Sequence, residues 1–311
     1  MSQEKIEIPS EYIVPLNMNG LRGRMLRMPP KGKRKREFLL VYGHHSSLER
    51  MYGIAEVLHD FGGVTMPDLP GFGGMDSFYK INERPTIDAL ADYLASFVKL
   101  RYRNSRVTLV GFSFGFLIVT RMLQRYPDLE KKIDLAVSLV GFTHRNDFLF
   151  TRTRHQMYLL SSRIVSHKFP SFIFRNILLN PSVIRRLYHM THNAKDKFTG
   201  LSAEEYSRAK QFEVHLWRIN DVRTHMVTTV EFLKVDNTNN KLSVSACHVG
   251  VPGDKYFNAL SVENNLKKIF DDIKIYKART SSHSPSIIGD KQAAIVLFPS
   301  GLRRSLARKS Q

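Results

Sequence analysis

The segment best suited to chemistry is Gly111-Phe-Ser113-Phe-Gly115. A serine hydroxyl is a weak nucleophile near neutral pH, so it needs a base to take its proton and donors for the oxyanion it generates. Gly-x-Ser-x-Gly arises by chance roughly 0.1 times in a chain of this length, given glycine and serine near ~7% each. Context makes it specific. The motif directly follows the apolar run Val107–Val110 and opens a helical stretch, Phe114–Arg125. A strand-to-helix turn that sharp needs small residues beside the nucleophile, because its backbone is strained and closely packed. An incidental Gly/Ser turn is the plainer alternative. The other reactive side chains point less clearly. Seven of the 12 histidines fall within residues 143–234, without metal-ligand spacing, so surface or core positions are expected for them. The lone Cys247 and His248 lie in a strand-like run and are expected to be buried filler and a hydrogen-bonded core histidine.

Elements able to position the serine are legible on both sides of it. Phe38–Tyr42, Val64–Met66, Val107–Val110 and Ala136–Val140 are short apolar runs that read as strands. Between them, Leu48, Met51, Ile54, Ala55 and Leu58 recur at helical spacing, as do Ile87, Leu90, Leu94 and Phe97 behind the start signal Pro85-Thr86. Such alternation predicts a mostly parallel sheet covered by helices on both faces. After Gly141 the rhythm changes. Residues 143–234 read as helical throughout, and Ser202-Ala-Glu-Glu205 resembles a capping box. Strand–helix alternation returns with a strand over Leu242–Val251, a helix over Val262–Phe270, a strand over Ile273–Ala278 and a helix from Ser286. The expected organisation is a core of residues 1–142 and 235–311 with a helical cap of residues 143–234 inserted.

With these features in place, the chain resembles the α/β-hydrolase superfamily from about residue 12 onward. Gly43-His44-His45 is similar to the family's oxyanion loop, and Asp68-Leu-Pro-Gly-Phe-Gly-Gly74 to its D-x-P-G-x-G turn. The resemblance makes Gly111–Gly115 a nucleophile elbow and implies an acid after the next-to-last strand and a histidine after the last. Asp254 and His283 occupy those places. It thereby implies a catalytic triad of Ser113, His283 and Asp254, with the backbone N–H groups of His44 and Phe114 as oxyanion donors. Asp236 is a rival acid, read as a turn residue in Asp-Asn-Thr-Asn-Asn240. His45 is either a substrate contact or an exposed loop residue. Two departures from the family pattern bear on substrate. Tyr42 replaces the common histidine before Gly43, expected to remove an orienting group. Phe116 stands where a small residue is usual, so its ring must find room or narrow the acyl pocket.

The implied activity is that of a serine esterase acting through an acyl-Ser113 intermediate, without cofactor or metal. An aminopeptidase, a carbon–carbon hydrolase, an acyltransferase, a membrane-peripheral lipase-like enzyme and a non-catalytic binding protein on the same fold stay open. Lys and Arg number 47 against 28 Asp and Glu, a formal charge of +19. The excess is spread out: 20 basic and 15 acidic groups up to residue 142, 15 and 7 in residues 143–234, and 12 and 6 beyond. No nucleic-acid-binding motif accompanies it, so no specific nucleic acid is expected. The expected partner is a small acyl substrate, an anionic one being favoured, with weak electrostatic association with anionic membrane as a further expectation. Lys31, Lys33, Arg34, Lys35 and Arg36 read as a solvated turn, and Arg303, Arg304, Arg308 and Lys309 as charges closing a last helix. Met157, Phe169, Phe172, Phe174, Tyr188 and Trp217 are expected to pack the cap rather than to line a lipid groove. An apolar fraction of 42% excludes disorder. A single cysteine excludes a disulfide scaffold, and the polar N-terminus with no long apolar stretch gives a cytoplasmic expectation.

Overall fold

The computed structural model describes residues 8–32, 36–179, 203–280 and 289–308. Eight strands form one sheet. Strands β1 (Ile13–Met18) and β2 (Leu21–Met28) make an antiparallel hairpin, and β2 runs antiparallel to β4 (Gly63–Pro67). The rest is parallel: β3 (Glu37–Val41), β5 (Val107–Phe112), β6 (Ile133–Leu139), β7 (Ala246–Gly250) and β8 (Ile273–Lys277). Their order is β1-β2-β4-β3-β5-β6-β7-β8.

That order creates the site. From β3 the chain crosses through α1 (Leu48–His59) to β4 on one side, and from β5 through α3 (Phe114–Arg125) to β6 on the other. Right-handed crossovers of opposite direction put α1 and α3 on opposite faces and leave a crevice at the carboxyl ends of β3 and β5. Val41 pairs with Gly111 at that edge. β4 and β5 are buried along their whole length, as strands covered on both faces must be. The helix α2 (Ile87–Arg101) packs on α3, with Thr86 capping it by accepting from the Ala89 amide at 3.0 Å. Helix α1 packs against α9 (Lys291–Ile295), which follows α8 (Ala259–Ile269) and precedes α10 (Ser300–Ala307).

Between β6 and β7 lie α4 (Arg152–Val165), α5 (Lys168–Ile173), a π turn (Phe174–Leu178), α6 (Ala203–Ile219) and α7 (Val222–Phe232). Ser202, the start of the expected capping box, lies outside the described residues, as do Tyr188, Lys33, Arg34, Lys35 and Lys309. Among the described residues, no helix is long and apolar enough to cross a membrane.

Several expectations change. The strand expected from Leu242 begins at Ala246, because the Ser243 amide donates to the Glu130 carboxylate at 2.8 Å instead of to a ladder. The helix expected from Ser286 is replaced, within the described residues, by the two short helices α9 and α10. Arg36 is not a free turn charge. Its guanidinium donates to the Leu306 and Ser305 carbonyls at 2.6 and 3.2 Å, satisfying the open end of α10. Most tellingly, Met157, Phe169 and Phe172 do not pack the insertion but stand exposed on α4 and α5.

Candidate active site

Ser113 sits at φ 49° and ψ −117°, a sparsely populated conformation for a residue with a Cβ. Such backbone costs of order 1–3 kcal/mol and persists only where its surroundings dictate it. Here they do. The Ser113 amide donates to the Leu139 carbonyl at 2.8 Å, locking the turn to β6. A Cβ on Gly111 would lie 2.4 Å from the Phe116 Cα, and one on Gly115 would lie 2.0 Å from the Val41 carbonyl oxygen. Both glycines of the motif are thus required by close approach. Phe116 finds its room in the same way. It is fully buried against Phe270, facing Gly141, and does not line the cavity at Ser113.

The loop after β3 comes against this turn. A Cβ on Gly43 would stand 3.5 Å from the Ser113 Cβ, so Gly43 and His44 flank the serine. Ser113 opens α3, whose first amides have no intrahelical partner. The His44 ring packs edge-on against Phe72, Phe114 and Phe232. The Thr228 hydroxyl donates to the Thr224 carbonyl at 2.7 Å, which leaves its oxygen to accept from His44 Nε2–H at 2.8 Å. Burial holds the His44 imidazole neutral, its pKa pushed down to about 3. His225, on α7, lies 4.2 Å from the His44 ring, centroid to centroid, and burial drives its pKa well below the usual value.

Tyr42 supplies an orienting group rather than removing one. Its buried hydroxyl donates to Asp68 Oδ1 at 3.0 Å and accepts from the Leu69 amide at 2.7 Å, tying the end of β3 to the 68–74 turn. Arg24 reaches the other Asp68 oxygen at 3.0 Å. His45, in the left-handed region at φ 54°, is neither exposed nor in the cavity. Its ring lies 4.1 Å from that of Trp217, tilted by 44°, and meets Asn220 through Nδ1 at 3.2 Å.

Beside Ser113 is a cavity of about 380 Å³. Phe142, Phe148, Phe150, Phe232 and Phe257 wall it, with Phe142 stacked on Phe257 at 4.8 Å and Phe148 on Phe232 at 5.6 Å. Helix α4 contributes Arg154 and Tyr158. Arg154 is the one Lys, Arg, Asp or Glu among the described residues of the lining. Its guanidinium donates to the Tyr158 hydroxyl at 3.1 and 3.2 Å and lies 5.2 Å from the Phe150 ring, both neutral neighbours.

Of the sequence-derived candidates, the structure brings together Ser113, Phe114 and His44 on this cavity. Asp254 follows β7, its Oδ1 accepting from the Tyr256 and Phe257 amides at 2.7 and 3.2 Å. It lines a second, much smaller cavity, and Phe257 borders both. His283 lies outside the described residues. Asp236 forms the expected turn, accepting from the Thr238 amide at 2.9 Å and from its hydroxyl at 2.6 Å. His248 is the expected core histidine, 2.8 Å from the Ser138 hydroxyl, with burial pushing its pKa down to about 4. His225, Arg154 and the buried pair Arg50–Glu213, 3.0 Å apart, are the residues missed. His225 carried one usable signal, since His225, Thr228 and Phe232 recur at spacings of three and four and so share a helix face. Among the described residues, no cluster of three or more His, Cys, Asp or Glu could hold a metal ion.

A family model for the alpha/beta hydrolase fold matches residues 38–219. The chain therefore belongs to the alpha/beta hydrolase fold family. Methylesterase 1 of Arabidopsis thaliana is 32% identical over 111 residues, 35% of this chain and 41% of that protein, so the chain spans well under two thirds of it. A thermophilic esterase from Thermogutta terrifontis superposes with a TM-score of 0.59 at 15% identity, covering 95% of this chain and 99% of the other. An epoxide hydrolase from Bacillus megaterium gives 0.65 at 14% identity, covering 95% and 100%. At such identities the likeness of the two solved structures is one of fold.

Proposed function

We propose that the chain is a serine hydrolase that cleaves a carboxylic ester through an acyl-Ser113 intermediate. The observation carrying this reading is the strained Ser113 backbone at the head of α3, with the Gly43-His44 loop beside it on a cavity wall. In this reading Ser113 Oγ attacks the ester carbonyl as His283 takes its proton. The oxyanion is received by the Phe114 and His44 amides. The proton then passes to the departing alcohol, leaving an acyl-enzyme that water resolves by the same route. Asp254 orients and stabilises the His283 imidazolium. Its backbone-held carboxylate after β7 supports that role, and the place of His283 after β8 rests on sequence order. Residues 143–234 act as a cap over the core of residues 1–142 and 235–311, supported by the Arg154, Tyr158, His225 and Phe232 lining of the Ser113 cavity.

The same cavity suggests the substrate. Its phenylalanine walls suit an apolar or aromatic acyl group, and Arg154 suits a carboxylate on it. Labelling with a fluorophosphonate probe tests the chemistry. Signal is expected to vanish in Ser113→Ala and nearly vanish in His283→Ala, with kcat down roughly 10⁴-fold or more. Persistent labelling of Ser113→Ala refutes the assignment. Asp254→Asn against Asp236→Asn identifies the acid. Arg154→Gln is expected to raise KM for a carboxylate-bearing ester and leave its neutral counterpart unchanged.

A further inference from the structure

Helices α4 and α5 and the π turn after them hold a concentration of exposed apolar surface. Eight of the twelve exposed large hydrophobic residues among the described residues fall between Leu149 and Ile177. On α4, Met157, Leu160 and Ile164 are 59%, 61% and 53% exposed and recur at spacings of three and four, so they form one stripe. On α5, Phe169 and Phe172 are 72% and 65% exposed. Single exposed apolar residues are ordinary, but a concentration of this kind on two successive helices marks a surface that meets something.

Charge says what it meets. Residues 148–179 contain five Arg and Lys and no Asp or Glu. Arg152, Arg163, Lys168 and Arg175 are all exposed. At 100° per residue, Arg152 and Arg163 lie together on one side of the α4 stripe. Two copies of this face would confront cation with cation, so self-association is disfavoured, while an anionic lipid surface complements both properties at once. We propose that α4 and α5 form a docking surface for an anionic lipid bilayer. Met157, Leu160, Phe169 and Phe172 enter the boundary between headgroups and acyl chains, and the four cations meet lipid phosphates. The opposite side of α4 carries Tyr158 of the Ser113 cavity and His155, whose Nε2 meets the Leu233 carbonyl at 2.8 Å. One helix therefore faces bilayer and cavity. The docking itself does not depend on the chemistry assigned to Ser113.

Sedimentation of the full chain with phosphatidylcholine vesicles, with and without phosphatidylglycerol, tests it. Co-sedimentation is expected only with the anionic vesicles and is expected to weaken as salt rises. Each cation near the surface is worth about five-fold in partition, so Arg163→Glu with Lys168→Glu should lower it at least about ten-fold. Leu160→Gln with Phe172→Gln should lower it by about ten-fold or more through lost apolar burial. Hydrolysis of a short soluble ester should be unchanged in both pairs. In a Phe172→Trp variant, fluorescence should be quenched by lipids brominated on their acyl chains. Three results overturn the proposal. One is no co-sedimentation at low salt. Another is binding that survives Leu160→Gln with Phe172→Gln and leaves Phe172→Trp unquenched. The third is a lipid-free dimer that those apolar substitutions break.

Discussion

The two halves of the insertion between β6 and β7 meet water and core in opposite ways. α6 and α7 are fastened by buried polar groups. Glu213 pairs with Arg50 of α1, Asn220 accepts from the Gly73 amide at 2.8 Å, Thr224 meets Ser77, and Thr228 receives His44. α4 and α5 bury little beyond one side and turn apolar side chains outward. Polar groups shut away from water must find partners, and so they fix geometry; exposed apolar ones fix nothing until a second surface arrives. The fastened half touches the Gly43-His44 loop, and the open half carries Arg154 into the cavity. In the proposed reading, placement of the serine and choice of substrate fall to differently held elements.

Substitutions can break this contrast. The largest effect is expected from Glu213→Leu, which strands the Arg50 guanidinium in the interior. A loss of about 3–5 kcal/mol in urea unfolding is expected, with most of it recovered in Arg50→Met/Glu213→Leu. Acid should act next. His44, His225 and His248 are held neutral by burial, so between their depressed pKa values and the ordinary 6.5 the unfolded chain binds protons that the folded one does not. The contribution of these three histidines is therefore expected to be full above pH 7 and to fall as pH drops toward 4. With the three acting together, the fall should steepen below about pH 6.5, measured from denaturant midpoints across that range. Thr228→Val should cost about 1–2 kcal/mol by removing the shorter of two His44 acceptors, the His225 carbonyl at 3.2 Å remaining, and should lower kcat more than it changes KM. Leu160→Gln should change stability by less than about 0.5 kcal/mol. If Leu160→Gln proves as damaging as Glu213→Leu, the open half is packed after all and the contrast falls.

Legibility in the sequence followed distance along the chain. Helix α3 was readable to the residue, Phe114–Arg125, because an apolar run, a glycine-flanked serine and helical spacing are all local. Thr86 as a cap and Asp236 as a turn residue were local too. The β1–β2 hairpin was missed although Asn19-Gly20, both at positive φ, stood between its strands as a turn signal. What could not be read was pairing at long range. Arg50 and Glu213 are 163 residues apart, and nothing near either shows that it will be buried. Tyr42 could be scored as a lost histidine but not as a partner for Asp68, 26 residues away. Met157 and Phe169 misled because an apolar residue at helical spacing reads the same whether its face meets a core or is left open.

The side chain at position 116 and Gly141 constitute one inherited character written in two places. A Cβ at position 141 would fall 2.5 Å from the Ser138 Oγ and 2.6 Å from the Phe116 Cβ, so a side chain of any size after the turn at Ser113 is tolerated only opposite a glycine after β6. Gly141→Ala should therefore destabilise the chain, and Phe116→Ala, which keeps the crowding Cβ, should not rescue it. A homologue that lacks the glycine has rebuilt the back of its elbow some other way.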